Sequence, residues 1–309
     1  MIKDSPRSYT IDGESNRTFP AQKLVGKMLT LRDCKGVVID GWSITGGITN
    51  VEFENCVDCT IQNSTLRKPS GPPDPYGNHI LFNGCKGCKA INNTIERWYR
   101  SEMGIGFFDS SNCEATDNTI QGLIGKNGKV IDNIKSQSGD GITADFKSFN
   151  CRLINNKFDL TGANGKPSGY AAINLSYGSG HLVDQTAGWV KGSTAVTPYN
   201  VNPCYDSKGN PADADTQQIV PVTNCEFKGI PTKLVFVHYK CKNIKVNGVT
   251  FPRKELEKGA DVKWCKFKIW RLAFAPGHYG HVVEGNNRWI RLFGGIFLRY
   301  DDTESGTKD

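Results

Sequence analysis

No stretch of this sequence approaches the roughly 20 consecutive apolar residues of a membrane-spanning helix, which excludes a helical membrane protein. Long runs rich in Ala, Leu, Glu and Lys are absent too, and apolar residues nowhere recur at helical spacing, so neither a bundle nor a coiled coil is expected. Met1-Ile2-Lys3-Asp4-Ser5-Pro6 holds no apolar run that could serve as a signal peptide, which counts slightly against export. Basic residues form no cluster of the kind found in nucleic-acid-binding tails. The net charge of +7 therefore reads as ordinary solubility, or as attraction to an anionic partner such as an acidic glycan.

What the chain does contain is turn-forming residues. With 34 Gly and 14 Pro in 309 residues, 38 % hydrophobic and 22 % charged, it suits an all-β protein large enough to bury a substantial core. It also repeats itself. Val51-Glu52-Phe53-Glu54-Asn55-Cys56-Val57-Asp58-Cys59-Thr60-Ile61-Gln62-Asn63-Ser64-Thr65-Leu66 returns without a gap as Ile80-Leu81-Phe82-Asn83-Gly84-Cys85-Lys86-Gly87-Cys88-Lys89-Ala90-Ile91-Asn92-Asn93-Thr94-Ile95. The same frame takes in Leu29, Leu31, Cys34, Val37, Ile39 and Ile44 one unit earlier, and Ile105, Phe107, Ser110, Cys113, Ala115, Asn118 and Ile120 one unit later. Cys151, Leu153, Asn156 and Phe158 make a fifth unit, and Phe236, His238, Cys241, Ile244, Val246, Thr250 and Phe251 a late one.

Within a unit, apolar residues alternate at period two and break at Asn, Gly or Asp, the pattern of short strands joined by sharp turns. Such a unit cannot bury its apolar face alone and must stack on its copies. The leucine-rich signature is missing, and a propeller blade needs about 40 residues or more, so the parallel β-helix remains. The units resemble the β-helix repeats of pectate lyases, polygalacturonases and bacteriophage tailspikes, well over residues 26–160 and less closely over 217–255. The expected fold is all-β: a right-handed single-stranded parallel β-helix, or solenoid, with loop insertions and an irregular C-terminal region. Residues 1–25 read as a lead-in, 26–262 as the β-helix with insertions at 67–79, 159–169 and 184–215, and 263–309 as terminal rungs, a cap or an association region. Insertions in a solenoid gather on one face, often the binding face.

Cys56, Cys59, Cys85 and Cys88 form two Cys-x-x-Cys pairs, a spacing that zinc sites share. The repeat sets Val37 and Ser110 at equivalent positions, which no zinc ligand set requires, so the cysteines read as small buried packing residues. No metal or cofactor is expected. Eleven cysteines left as thiols would suit assembly in a reducing cytoplasm. Asn63, Asn93, Asn118 and Asn156, with Asn92 and Asn155 beside two of them, read as an Asn ladder in a turn.

Polysaccharide hydrolysis needs two carboxylates about 5–9.5 Å apart, and the candidates are Asp109, Asp140 and Asp145. Ser138-Gly139-Asp140-Gly141-Ile142 is similar to the Gly-Asp-Asp segment of polygalacturonases, except that Gly141 stands where the second Asp would be. Pectate-lyase chemistry would require a basic residue to remove a proton and Ca²⁺ held by Asp or Glu. Glu96, Arg97, Trp98, Tyr99, Arg100 and Glu102 mix charges with aromatic faces and form the candidate carbohydrate-binding segment. The resemblance implies a tailspike-type, receptor-binding virion protein assembled in a host cytoplasm, a homotrimer held to other virion proteins and facing a surface polysaccharide. A free-standing extracellular lyase or hydrolase and a non-catalytic virion component are the alternatives. Neither a membrane span nor a specific nucleic acid is expected.

Overall fold

The computed structural model describes residues 1–67, 77–98, 101–124, 140–145, 148–159, 172–175, 178–187, 189–191, 196–198, 222–230, 243–251, 272–274, 287–292 and 296–301. All regular structure among them is strand, and none of it is a helix able to cross a membrane. The strands stack into three faces of a parallel β-helix. Face one is a nine-stranded sheet whose parallel strands begin at Ser8–Asp12 and run through Met28–Arg32, Val51–Glu54, Gly77–Asn83, Ser101–Phe108, Asp140–Asp145 and Ile173–Leu175 to Val196–Pro198. Face two has ten strands and face three seven, each rung adding one strand to each face in turn. The repeat read from the sequence is the structural register. Val51 pairs with Ile80, Ile61 with Ala90 and Leu66 with Ile95.

The first rung lies at Ser8–Asp12, Thr18–Phe19 and Lys23–Val25, inside the segment read as a lead-in, and it pairs in parallel with the second rung on all three faces. Ile2–Asp4 folds back antiparallel on face one. At the far end, Val249–Phe251 turns back antiparallel on Ile244–Val246. Asn247 and Gly248 both take positive φ, 49° and 82°, as a two-residue hairpin turn demands, and this pulls Thr250 and Phe251 out of the rung pattern. Phe236, His238 and Cys241 of the late unit lie outside the described residues. The C-terminal strands Leu272–Phe274, Asn287–Leu292 and Ile296–Asp301 form a separate antiparallel sheet, so they do not continue the rungs.

Turn chemistry explains the repeat. The corner from face one to face two carries two columns of left-handed residues, among them Asp33, Asn55, Gly84 and Asp109 in one and Asn16, Gly36, Asp58, Gly87 and Asn112 in the other. The corner from face two to face three carries a third column with Gly41, Asn63, Asn92, Asp117 and Asn155. Only Gly, Asn and Asp accept this conformation at low cost, so these three columns are drawn from them.

Inside, equivalent residues stack rung on rung. Phe53, Phe82 and Phe107 form a stack with ring centroids 4.8 and 5.3 Å apart. Volume is exchanged between faces at each level: Phe82 and Phe107 share their rungs with Ala90 and Ala115, whereas Ala144 shares its rung with Leu153 and Phe158. Total volume is thus held while single positions vary, as a close-packed interior requires.

The eight cysteines among the described residues line the corner between faces one and two as buried, free thiols. They do more than fill space. The Cys56 thiol donates to Leu31 O at 3.4 Å and Cys85 to Phe53 O at 3.3 Å. Ser110, next in the column, donates to Phe82 O at 3.2 Å, which explains why Ser and Cys interchange there. Hydrogen bonding to neighbouring thiols, and then burial, pushes Cys56 and Cys88 up, and burial pushes Cys225 up to about 12. Among the described residues no group of three or more His, Cys, Asp or Glu is arranged to hold a metal ion.

The Asn ladder is two ladders. Ser64, Asn93, Asn118 and Asn156 share the buried one: Asn118 Oδ1 accepts from the Asn93 backbone and side-chain nitrogens at 2.9 and 3.0 Å, and Asn156 Oδ1 accepts from Asn118 at 3.1 and 2.9 Å. Asn63 belongs instead to the exposed left-handed column, where Asn92 Nδ2 donates to it at 2.8 Å, so grouping it with Asn93 and Asn118 was off by one residue.

Candidate functional site

Two corners of the solenoid keep one length from the second rung to the fifth, at 33–37, 55–59, 84–88 and 109–113 and at 41–42, 63–64, 92–93 and 117–118, where their left-handed columns fix them, and they lengthen later at 146–151 and 185–188. The third, from face three back to face one, varies. It is short between Val25 and Met28 and between Trp98 and Ser101, but long between Arg67 and Gly77, between Ile124 and Asp140 and between Asp159 and Ile173. Every insertion read from the sequence up to residue 169 enters here. Evolutionary freedom in a solenoid concentrates where loops do not disturb stacking, and such a corner is where a binding site is built.

On face three, next to this corner, the outward positions are polar over many rungs. Leu66, Ile95, Ile120 and Phe158 point inward and are fully buried. Strand alternation sends the flanking residues out. Ser43, Thr65, Thr94 and Thr119 form one outward column, and Thr45, Arg67, Glu96, Gln121 and Asp159 the other, in register. Neighbouring rungs place successive members about 4.8 Å apart. The Arg67 guanidinium meets the Glu96 carboxylate at 2.7 Å, with both side chains partly exposed. The result is a flat track of hydroxyl, amide and charged groups along the axis.

Face one supplies the other flank. Thr30, Leu81, Thr143 and Asn174 point away from the core yet are only 3, 9, 4 and 5 % exposed, so this face is recessed. Nearest the corner, Asn50 and His79 are fully buried on adjacent rungs. Asn50 Nδ2 donates to Gly46 O and Arg67 O, both at 2.9 Å, which turns its Oδ1 toward His79 Nδ1 at 2.8 Å. His79 therefore donates from Nδ1, and the pair ties the varying corner to the end of the Thr65–Arg67 strand. Further out on the same face, Glu52 and Glu54 share one strand. Arg32 Nε donates to Glu54 Oε2 at 2.6 Å. Burial first, and then the Glu54 charge, raise the Glu52 carboxyl above its ordinary value.

The sequence candidates distribute over two corners. The segment from Glu96 to Glu102 spans the face-three-to-face-one corner, with Glu96 on the polar track. Arg97 and Trp98 lie on the Thr94–Trp98 strand and Glu102 on Ser101–Phe108, while Tyr99 and Arg100 lie outside the described residues. Asp140 and Asp145 occupy opposite ends of one strand, about 16 Å of strand rise apart. Asp145 pairs with Phe108, so Asp109 stands beside it at the corner between faces one and two. Asp109 is exposed, with φ 47°, in the column where Asn55 and Gly84 serve the same turn. Ser138, Gly139, His278 and His281 lie outside the described residues.

The residues not singled out from the sequence are Glu52, Glu54, Arg67, Gln121, Asp159 and the track threonines. Their signal was available: each unit places polar residues on both sides of Leu66, Ile95, Ile120 and Phe158.

No family model and no curated protein matches the sequence. Solved structures with a similar course of chain include a DFA-IIIase from Arthrobacter chlorophenolicus A6 in complex with GF2 (12 % identity, 74 % of this chain and 58 % of that one, TM-score 0.40). A pectate lyase from Paenibacillus sp. 0602 (10 %, 79 % and 64 %, TM-score 0.31) and PfbA, a surface adhesin of Streptococcus pneumoniae (11 %, 90 % and 69 %, TM-score 0.28), are others. The chain spans less than two thirds of the length of the DFA-IIIase and of the pectate lyase.

Proposed function

We propose that this β-helix recognises an extended polysaccharide along face three and the corner where its insertions enter. The observation that carries the reading is the two-column polar track, Ser43 to Thr119 beside Thr45 to Asp159, in parallel register next to that corner. A linear glycan presents hydroxyl groups repeatedly along its length, and a solenoid presents partners for them at a fixed spacing of about 4.8 Å. Hydroxyls, an amide, a guanidinium and carboxylates on a flat face fit that ligand better than they fit a protein, whose interface would have an apolar centre. The +7 charge favours a glycan bearing carboxylates.

In its finer form the reading is a tailspike-type, receptor-binding virion protein that meets a host surface polysaccharide as a homotrimer attached to other virion proteins. The free thiols running from Cys34 to Cys225 support it, because they suit folding in a reducing cytoplasm. A free-standing extracellular lyase or hydrolase is the second reading, favoured by the carboxylates on face one.

The test is binding of the full chain to polygalacturonate, xylan, dextran and O-polysaccharide by affinity electrophoresis. One of these should retard the protein, and Arg67→Ala with Glu96→Gln should weaken that binding by roughly tenfold or more, about the worth of a charged hydrogen bond. Binding unaffected by the double change would remove the track from the site. Light scattering on the same sample checks the trimer.

A further inference from the structure

Inside the corner between faces one and two, Cys56 and Cys85 hold equivalent places on adjacent rungs, and so do Cys59 and Cys88. Their neighbours set the register, Val57 bridging to Lys86 and Thr60 pairing with Lys89. Backbone bonds clamp it: Lys86 N donates to Cys56 O at 2.9 Å and Lys89 N to Cys59 O at 2.8 Å. Equivalent Cα atoms on neighbouring rungs lie about 4.8 Å apart, inside the range of about 4.4–6.8 Å that a disulfide spans. All four thiols are buried and free. They form a closed ring of thiol–thiol hydrogen bonds, Cys56 with Cys59 and Cys85, and Cys88 with Cys59 and Cys85. Packing and donation to a carbonyl are served equally well by Ser110, so they do not account for four sulfurs in contact.

We propose that Cys56–Cys85 and Cys59–Cys88 are latent disulfide sites that staple the third and fourth rungs when the folded protein meets a peroxide. The members of each pair are 29 residues apart, so each bridge encloses a full turn of the solenoid. A bridge within Cys56-Val57-Asp58-Cys59 would enclose two residues and would have to reshape a corner in which Asn55 and Asp58 hold φ 51° and 53°. Each proposed pair also joins unlike thiols. Hydrogen bonds from Cys56 and Cys88 hold Cys59 and Cys85 below the ordinary thiol value, whereas hydrogen bonding to neighbouring thiols, and then burial, push Cys56 and Cys88 up. One member of each pair is the readier thiolate, and the other stands in contact to complete the bond.

In the reaction, the Cys85 thiolate attacks one oxygen of hydrogen peroxide. A sulfur–oxygen bond forms, the oxygen–oxygen bond breaks, and the departing hydroxide takes up the proton Cys85 gave as water. The Cys56 sulfur then attacks the sulfenic sulfur. The disulfide forms as the sulfur–oxygen bond breaks, and hydroxide leaves with the Cys56 proton as a second water. Two sulfurs are oxidised by one electron each and the two peroxide oxygens are reduced. Cys59 and Cys88 follow the same course. In a reducing compartment the four stay thiols, and the rungs are stapled only outside it. The inference does not depend on which glycan the protein binds.

The experiment treats the folded full chain with hydrogen peroxide, blocks remaining thiols with N-ethylmaleimide and maps the peptides without reduction. Trypsin, cutting after Lys86 and Lys89, and a protease cutting before Asp58 place the four cysteines on separate peptides. Linked peptides should join Cys56 to Cys85 and Cys59 to Cys88. The thermal midpoint should rise by roughly 5 °C and return to its starting value with dithiothreitol. Cys56→Ser, with the residue Ser110 supplies in the same column, should lose the first link and keep the second; Cys85→Ser is the alternative if that variant does not fold. Links within a Cys-x-x-Cys pair, to Cys113 or between chains would overturn the proposal. So would sulfinic acids in place of links, thiols that survive peroxide in the folded protein, or a linked protein whose midpoint does not rise.

Discussion

At the scale of single residues, the two asparagine ladders make opposite predictions for the same residue type. Asn118 is buried, accepts from both nitrogens of Asn93 and donates to Ala90 O at 2.9 Å. Asn118→Ala leaves the Asn93 N–H without a partner in the core and removes the second hydrogen bond to the Ala90 carbonyl, which keeps its place in the strand ladder. At about 1–3 kcal/mol for the stranded N–H and about 1 kcal/mol for the lost bond, the loss should be roughly 2–4 kcal/mol, read as a lower urea midpoint. Asn92 is exposed with φ 52°, and its amide reaches only Asn63. Asn92→Gly exchanges one exposed hydrogen bond for easier left-handed backbone and should change stability by less than about 1 kcal/mol. Comparable losses at the two positions would mean that the ladders do not differ in burial as described. The thiols obey the same logic: they are needed at their corner as small donors to backbone carbonyls, and Ser110 takes the same place.

At the scale of strands and turns, Gly141 shows why part of the site could not be read from residue types. Its place after Asp140 invites comparison with a second catalytic Asp. A Cβ on Gly141 would stand 2.5 Å from Ala172 O and 2.8 Å from the Phe158 ring, so the rung above and a core aromatic require glycine here. Gly141→Asp should therefore not install a carboxylate pair; it should lower the thermal midpoint by several degrees and bring no gain in reducing-end release. A stable Gly141→Asp protein would show that the neighbouring rung yields. The rungs themselves were legible, because the turn columns draw on Gly, Asn and Asp and the inward strand positions on apolar residues, so Val51–Leu66 and Ile80–Ile95 align without a gap. The inner ladder was misread by one residue because Asn63 and Ser64 both suit a turn, and only the register decides which is buried. The site was less legible because its members, such as Arg67, Glu96 and Gln121, are adjacent through stacking and far apart in the chain. Glu52 and Glu54 carry no motif at all; what separates them is Leu81 on one neighbouring rung and Arg32 on another.

At the scale of the molecule, each rung touches only its neighbours, so stability is a sum of local terms and the ends should open before the middle. The thiols provide a reporter at each level. Cys34, Cys85, Cys88, Cys113 and Cys225 are all 0–2 % exposed, so exposure does not rank them. Burial raises Cys34 and Cys225 as well, so alkylation at neutral pH must await opening of their rungs, since the thiolate is the reacting species. Hydrogen bonds from Cys56 and Cys88 lower the Cys85 thiol instead, so its labelling waits on access alone, and position along the axis is what sets access. Cys34 lies in the second rung, and Cys225 is followed among the described residues by one further parallel strand, Ile244–Val246, and its hairpin return. Cys85, Cys88 and Cys113 have several rungs on either side. Pulsed alkylation of the folded full chain, with each cysteine followed by peptide mass spectrometry, should label Cys34 and Cys225 well before the central three, and subdenaturing urea should widen the gap. A single common rate for all five would show that the solenoid opens as one cooperative unit, with its rungs coupled more tightly than nearest-neighbour stacking provides.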